Sequence, residues 1–358
     1  MQTPQPNRLI ELGIAVKVIG VDGLKSHDSR RHKNDPHLKV SLDYLDAILD
    51  YLDSIDVRFY RMSSDLAPYA THPDMPRFHN MVAESDTELA AIGQKARALG
   101  IRLTFHPSQY ILINTPDEDV LQKSFNDLAS QAEMLDRMGM GSNSVLVTHV
   151  GGVYGDREAA IQRWIDNYSR LPEPARRRLV LENDDLRFSA ADVLRIHEAT
   201  GVRLIFDIHH HWCFNPEGLD RVKTFGRFLD SWPEGQKPKM HFSSPRTEMR
   251  IVKRRDKDTG KHVQCLQPPV WTGHSDFISP FQFIQFIRDT RHLAKRRPFD
   301  IMLECKSKDL ALLRLRADLL RYGPDVCNLF GLAPSTLEPN AGEMCLDDIT
   351  SESPSEAA

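Results

Sequence analysis

Eight short runs of apolar and β-branched residues recur along the chain, each bounded by polar residues or glycine. Runs of this kind predict strands that are buried on both faces of a sheet. The predicted strands are Leu9–Val16, Val57–Arg61, Ile101–His106, Ser144–His149, Arg178–Asn183, Arg203–His209, Lys239–Ser243 and Asp300–Cys305.

The segments between these runs show the spacing of amphipathic helices, with apolar residues three or four positions apart. The first predicted helix follows Ser41, which we expect to be its N-cap. Gly100 and Gly201 each precede a strand, where a helix C-terminus favours glycine. The other helical stripes are Val120–Met138, Ala159–Tyr168, Ala190–Ala199, Val222–Leu229, Phe281–Leu293 and Leu310–Tyr322. Eight β/α alternations favour a (β/α)8 TIM barrel, an α/β fold, while an open doubly wound sheet stays an alternative.

The predicted barrel forms a single domain over residues 8–325 and is followed by a tail of different composition. Residues 338–358 contain six acidic residues and no Lys or Arg, and they are rich in Ser and Pro. Such a segment predicts a disordered tail. The formal net charge is −4. Because the tail holds six acids, the remaining residues carry a net charge of +2.

The composition excludes several classes of protein. No apolar run approaches the ~20 residues that a membrane-spanning helix needs. The N-terminus lacks the basic and apolar regions of a signal peptide, so we expect a cytoplasmic protein, associated with the nucleoid if it is prokaryotic. The five cysteines form no CxxC pair, which indicates reduced thiols rather than a disulfide framework. There is no glycine-rich phosphate loop.

Residues able to bind a metal recur where the predicted strands end. The C-terminal ends of barrel strands meet at one face of the fold, so these side chains should lie together. They are His106, His149, Glu182, Asp207, His210, His241 and Glu304, with His274 after the longest connection. Six such strand ends point to a single metal site.

Each of these residues also has an ordinary structural explanation. A single histidine after a strand is more often structural than a ligand. Glu182 and Glu304 end the apolar runs LVLE and IMLE, and a buried carboxylate needs a cation, a hydrogen-bond network or a metal. A salt bridge to Arg or Lys therefore stays open for each glutamate. The agreement among all the strand ends favours the metal.

Lys239 poses a separate problem, because it lies two positions from His241 and faces the same way along a strand. A cationic lysine aimed at a metal cluster would be repelled, and its pKa should fall. It could be neutral, paired with a carboxylate, or covalently converted to an anion. Of the neighbours of His210, we expect one of His209 and His211 to support the ligands and the other to be exposed.

Histidine and carboxylate ligands without thiolates suit Mn²⁺, Zn²⁺ or Fe²⁺ better than Ca²⁺. So many donors are too many for one ion, which predicts two or three metals. Adjacent divalent metals are typical of phosphoester hydrolysis, in which one activates water and another stabilises the leaving oxygen.

The longest connection, from Ser243 to about Ser279, contains a basic segment. Residues 246–262 hold seven Lys or Arg against three acids. A basic loop on the active-site face could bind a phosphate backbone, and a solvated surface loop is the alternative. The candidate DNA contacts are Arg246, Arg250, Lys253, Arg254 and Arg255.

With these residues identified, the sequence resembles the UV damage endonuclease family, whose fold is related to that of endonuclease IV. The resemblance runs from about residue 9 to 312 and is carried by several motifs in order. They are FHPSQY (105–110), THVGGVYG (148–155), LVLENDD (179–185), FDIHHH (206–211), KMHFSSP (239–245), GHSDFI (273–278) and DIMLECKSKD (300–309).

The resemblance implies a monomeric, metal-dependent TIM barrel that uses manganese, with Zn²⁺ or Mg²⁺ as alternatives, and acts on double-stranded DNA. It implies nicking immediately 5′ to cyclobutane dimers, 6-4 photoproducts and some abasic sites. The strand-end residues named above would be its metal ligands, with Glu182, Glu304 and Lys239 as catalytic residues. Lys239 would be carboxylated.

The resemblance also assigns the contacts with the lesion. Gln109 and Tyr110 match the pair that the family uses to probe the lesion from inside the duplex. A rigid aromatic side chain can replace stacking that is lost when damaged bases leave the helix. Ile14 and Val18 depart from the family's damage-contacting Tyr and Asn, which puts the lesion spectrum in question.

Three hypotheses therefore remain: a DNA repair endonuclease, a metal-dependent sugar isomerase or epimerase on the same barrel, and a non-catalytic damage-recognition module. The isomerase would have no use for Gln109, Tyr110 or the basic segment. Binding alone would not require so many buried charges.

Overall fold

The computed structural model describes residues 8–333, so the predicted tail at 338–358 lies outside the described residues. The strands are β1 (Ile10–Ala15), β2 (Phe59–Arg61), β3 (Arg102–Thr104), β4 (Leu146–His149), β5 (Leu179–Glu182), β6 (Arg203–Asp207), β7 (Lys239–Phe242), β8 (Pro245–Arg246), β9 (Arg250–Arg255), β10 (His262–Gln267), β11 (Val270–His274) and β12 (Phe299–Leu303).

Eight of these strands form one parallel sheet in the order β3-β2-β1-β12-β7-β6-β5-β4. Its two outer strands meet through a parallel bridge between Phe105 and Leu146. The Phe105 N–H donates to the Val145 carbonyl at 3.0 Å, and the Val147 N–H donates to the Phe105 carbonyl at 3.1 Å. These contacts close the sheet, so the predicted TIM barrel is confirmed and the open sheet is wrong.

Helices follow the barrel strands and cover the sheet. They are α1 (Leu38–Ser54), α2 (Met81–Glu84), α3 (Asp86–Ala98), α4 (Glu118–Arg137), α5 (Arg157–Arg170), α6 (Glu173–Arg178), α7 (Ala190–Thr200), α8 (Ile208–Cys213), α9 (Arg221–Asp230), α10 (Pro280–Arg296) and α11 (Lys308–Tyr322). Short 3₁₀ turns lie at His32–Asn34, Pro76–Phe78 and Cys327–Phe330.

All eight predicted barrel strands are present, and most of their ends differ from the predicted ones by one or two residues. The first helix begins at Leu38 with His37 as its N-cap, and Ser41 lies buried inside it. There the Ser41 hydroxyl accepts a hydrogen bond from the Asp28 N–H at 2.9 Å, which anchors the preceding loop instead of the helix start. The sixth strand ends at Asp207 rather than at His209.

Helix α3 was not predicted, because its buried stripe is made partly of small residues. Leu89, Ile92, Gly93 and Ala96 are its buried residues, and two of them lack a large apolar side chain. A Cβ atom on Gly93 would lie 1.7 Å from the Met138 carbonyl oxygen. Glycine therefore lets α3 pack closely against the end of α4.

The largest error in predicted secondary structure concerns the basic segment, which was expected to be a loop. Residues 245–274 form two antiparallel pairs, β8 with β11 and β9 with β10. Charged residues interrupt the alternation of apolar and polar residues that normally identifies a strand, so the sequence pattern does not reveal these four strands. A β-ribbon therefore stands where a loop was expected.

No helix among the described residues is long and apolar enough to span a membrane.

Candidate metal centre

Glu182 is the centre of the site, because four imidazoles surround its buried carboxylate. Its Oε1 lies 2.7 Å from His241 Nδ1 and 3.6 Å from His210 Nδ1. Its Oε2 lies 3.2 Å from His106 Nε2 and 3.7 Å from His149 Nε2. These residues come from four strand ends and the first turn of α8, so the barrel brings together groups that are far apart in sequence.

Two more carboxylates complete the cluster. Glu304 Oε1 lies 3.2 Å from His241 Nδ1, and Asp207 Oδ2 lies 3.8 Å from His210 Nδ1. One atom from each of Glu182, Asp207, His241 and Glu304 fits within 4.8 Å of the others, and so does a set with His106, Glu182 and His241. The two sets share Glu182 and His241.

His274 reaches the same region from β11. Its ring lies 6.1 Å from that of His210 and 5.5 Å from that of His209, measured between centroids. All eight predicted metal-type residues therefore lie at the C-terminal end of the barrel.

Unpartnered polar atoms show that these residues fit a metal. Within residues 8–333, Asp207 Oδ2, His149 Nδ1, His241 Nε2 and His274 Nδ1 are buried and have no hydrogen-bond partner. Buried polar atoms are normally satisfied, and each exception needs an explanation. Carboxylate oxygens and imidazole nitrogens are also the donors that Mn²⁺ and Zn²⁺ accept.

The two glutamates are ionised. Burial opposes ionisation of Glu182, but the surrounding His241 and His149 hold the pKa of its carboxyl well below the usual range. Burial likewise opposes ionisation of Glu304, and its ion pair with Arg61 and the nearby His241 hold its pKa well below that range.

The pKa values of Asp207 and His210, in contrast, are raised. Burial raises the pKa of Asp207 to about 8, and the neighbouring His210 only partly offsets this. Burial disfavours the charged form of His210, but Asp207, Glu182 and Glu304 together raise its pKa to about 9. Asp207 also ends the sixth strand, because its Oδ1 accepts the His210 N–H at 2.8 Å and caps α8.

Three histidines of the cluster, His241, His149 and His274, are neutral at pH 7. Burial lowers the pKa of His241 to about 4 and also lowers the pKa of His149 and of His274. Neutral imidazole is the form that binds a metal.

Lys239 is buried without a partner. Only 1% of the residue is exposed, and Nζ has no hydrogen-bond partner among the described residues. It lies 5.3 Å above the centroid of the Phe59 ring. Burial, together with the cations Arg102 and Arg61, holds the Lys239 pKa well below its usual value. The Lys239 pKa therefore falls in the predicted direction, but burial and the neighbouring guanidiniums cause the fall, and no carboxylate among the described residues pairs with Nζ.

The prediction for the histidines beside His210 is half wrong, because both His209 and His211 are buried. His211 contacts the Leu219 carbonyl through Nε2 at 3.2 Å, and its ring lies 5.2 Å from that of Phe206. Both residues lie in helix α8, where only 1% of His209 and 3% of His211 is exposed. His209, which packs on His274, is the one that can support the site.

A cavity of about 400 Å³ opens beside the centre. Its lining includes His106, His149, His210, Gln109, Leu186 and Arg187. Gln109 and Tyr110 are exposed on the same side of the barrel as the cavity. Tyr110 is 75% exposed, and its ring packs against no other ring among the described residues. The cavity joins the candidate metal centre to Gln109, and the exposed Tyr110 follows Gln109 in the chain.

Ile14 and Val18 do not belong to this surface. Ile14 is 0% exposed in β1 and Val18 is 7% exposed, and both pack in the main apolar core. Neither side chain is therefore positioned to contact damaged DNA.

Arg61 is a site residue that sequence reasoning missed. It ends β2 and pairs with Glu304, and its side chain is 14% exposed. The only signal was a basic residue at the end of an apolar strand, and that pattern suggested no metal ligand.

Comparison with known proteins now decides the family. A family model described as UV-endonuclease UvdE matches residues 23–330. The chain belongs to this family. It is 33% identical over 297 residues to the UV DNA damage endonuclease of Bacillus velezensis, a match that covers 81% of this chain and 85% of the relative. The Bacillus pumilus protein of the same name is 31% identical over 269 residues, with 74% and 76% covered.

Solved structures agree with the UvdE assignment. SacUVDE superposes with a TM-score of 0.71 at 28% identity, covering 87% of this chain and 98% of that one. Endonuclease IV from Thermus thermophilus has a TM-score of 0.51 at 13% identity, covering 87% and 99%, which indicates a shared fold only. The resemblance predicted from the motifs is confirmed, and the UvdE chain is an endonuclease for UV-damaged DNA.

Proposed function

We propose that this UvdE protein uses two or three divalent metals, with manganese as the preferred ion, to cut the DNA backbone immediately 5′ to a lesion. The substrates would be double-stranded DNA with cyclobutane dimers or 6-4 photoproducts, and abasic sites. The observation that carries the proposal is the buried Glu182 carboxylate within four imidazoles, beside a cavity bordered by Gln109.

Metals held by these donors would supply a water of lowered pKa and positive charge for the phosphate oxygens. The proposed ligands are His106, His149, Glu182, Asp207, His210, His241, His274 and Glu304. Glu182 is suited to bridge two positions, because both of its oxygens are contacted by imidazoles. Arg61 fixes the orientation of Glu304 through their ion pair.

Lys239 is proposed to be carboxylated. Its neutral Nζ would attack CO₂, form an N–C bond and lose a proton to solvent, leaving an anionic carbamate. The buried amine without an acceptor and its lowered pKa support this step, since a free ammonium would remain uncompensated. The carbamate would then be a further anionic donor for the centre.

Lesion recognition is assigned to the exposed side chains at the cavity. Tyr110 would stack in the duplex where the damaged bases leave, and Gln109 would hydrogen bond there. A flat exposed ring next to a cavity that reaches the metal ligands suits both tasks. Arg246, Arg250, Lys253 and Arg254 are proposed to contact the phosphate backbone.

The first test is nicking of supercoiled plasmid with Mn²⁺, comparing UV-irradiated, depurinated and untreated DNA. We expect selective nicking of irradiated plasmid that EDTA abolishes. Glu182→Gln should abolish nicking and leave binding of damaged duplex measurable, because it changes the metal donors and not the DNA surface. Full activity of this variant would contradict the assigned centre.

The other hypotheses have weaker support. A sugar isomerase or epimerase has no role for an exposed Tyr110, and it would show ketose–aldose interconversion without DNA. A non-catalytic recognition module has no need of the buried carboxylates, and it would bind irradiated plasmid without nicking it under any metal.

A further inference from the structure

The hairpin of β9 and β10 has two different faces. Its register pairs Ile251 with Leu266, Lys253 with Gln264 and Arg255 with His262. Directly opposed residues project from the same side of a ribbon, so these three pairs share one face. All six side chains are exposed, with Ile251 at 72% and Leu266 at 65%. We call these six residues the open face.

The other face lies toward the protein. It carries the pairs Arg250–Gln267, Val252–Cys265 and Arg254–Val263, and the first two pairs are partly buried. Arg250 is held by Asp276, whose two oxygens accept from Nη2 at 3.1 Å. The hairpin is therefore oriented, with the base of this face against the protein and the open face exposed along its whole length.

The hairpin is strongly cationic. Residues 249–267 contain six Lys or Arg against two acids. Arg255 donates through Nε to the Gly260 carbonyl, and neither Lys253 nor Arg255 forms an ion pair with any residue in 8–333. These unneutralised charges, set beside glutamine and histidine, fit a polyanion better than a protein surface.

The hairpin is also continuous with the metal centre. It emerges after β7, whose His241 contacts Glu182, and it returns through β11, which ends at His274. The β8–β11 pair joins its base to the barrel, and the Ser275 N–H donates to the Ser244 carbonyl at 2.9 Å. A duplex held for cleavage at the centre would extend past this element.

We propose that the open face lies in the major groove of the duplex beside the cut, and this rests on the proposed function. A ribbon of six residues per strand is about 20 Å long, since each residue rises by about 3.3 Å. That length follows about six base pairs, and the major groove, about 12 Å wide, admits a two-stranded ribbon. In this arrangement Lys253 and Arg255 would contact phosphates, and Gln264 would hydrogen bond to base edges. Ile251 and Leu266 would contact apolar atoms in the groove.

The test compares Lys253→Ala/Arg255→Ala with Arg291→Ala/Lys295→Ala, a control that removes the same charge from the exposed side of α10 near its C-terminus. Binding to undamaged and irradiated duplex is measured against salt concentration in metal-free buffer. Each lost phosphate contact lowers the salt slope by about 0.9, so we expect the ribbon variant to lose about 1.8. The control should not change.

Protection of guanine N7 from methylation gives a second measurement, because N7 lies in the major groove. Wild type should protect guanines on one side of the lesion, and Ile251→Ser/Leu266→Ser should weaken that protection without changing the salt slope. Equal salt slopes for the ribbon and control variants, or protection confined to the minor groove, would overturn the inference. Failure of wild type to nick irradiated plasmid would instead reject the proposed function, while the binding measurements still test the ribbon.

Discussion

Metal binding should release protons at neutral pH, because two donors in the centre are protonated before a metal arrives. Asp207, with a pKa of about 8, and His210, with a pKa of about 9, both hold a proton at pH 7. The histidines with lowered pKa and the two ionised glutamates hold none to release. Ligation requires the deprotonated form of each donor.

The magnitude follows from these pKa values. At pH 7 the pair should release about one to two protons per protein, because the Asp207 charge is itself one of the groups that raise the His210 pKa. At pH 8.5 the release should be smaller. Each displaced proton makes the metal affinity rise by roughly tenfold per pH unit, so affinity should increase toward pH 9.

The assay is calorimetric titration of Mn²⁺ into metal-stripped protein, in bicarbonate-free buffers of different ionisation enthalpy at one pH. Asp207→Asn should release about one proton fewer at pH 7. Asp127→Asn is the control, because burial raises the pKa of Asp127 outside the site, beside Thr71. Binding of Mn²⁺ without proton release at pH 7 would refute the assigned protonation of the pair.

Two further predictions concern stability. Lys239→Met removes a buried amine without an acceptor. In bicarbonate-free buffer, where Lys239 is not carboxylated, urea denaturation of the metal-free protein should show an unfolding free energy higher by about 1–3 kcal/mol. Plasmid nicking should fall, and a less stable variant would contradict the unpaired amine. Phe206→Ala should lower the free energy of unfolding by about 3–5 kcal/mol in the same assay. Phe206 is buried, and its ring lies 5.1 Å from that of Phe228, so the truncation leaves a cavity. A loss below about 1 kcal/mol would contradict this, because it would show that neighbouring side chains fill the cavity.

Local sequence pattern was enough to predict the barrel and the His, Asp and Glu side chains that meet at its C-terminal end. Apolar runs separated by helical stripes specify alternating strands and helices, and right-handed crossovers leave few ways to assemble them. Glu182 and Glu304 could be recognised because a carboxylate directly after an apolar strand needs a compensating partner. Those inferences use only local pattern and the chemistry of burial.

The protonation states and partners of these side chains depend on contacts between distant strands. Asp207 and Glu182 both end apolar strands, but one is held protonated and the other ionised, because their neighbours differ in charge and come from distant strands. Arg61 pairs with Glu304 across 243 positions, which no local pattern reports. The burial of Ile14 and the two faces of the β9–β10 ribbon likewise depend on pairing partners and register, and these are set by the packing of the whole chain.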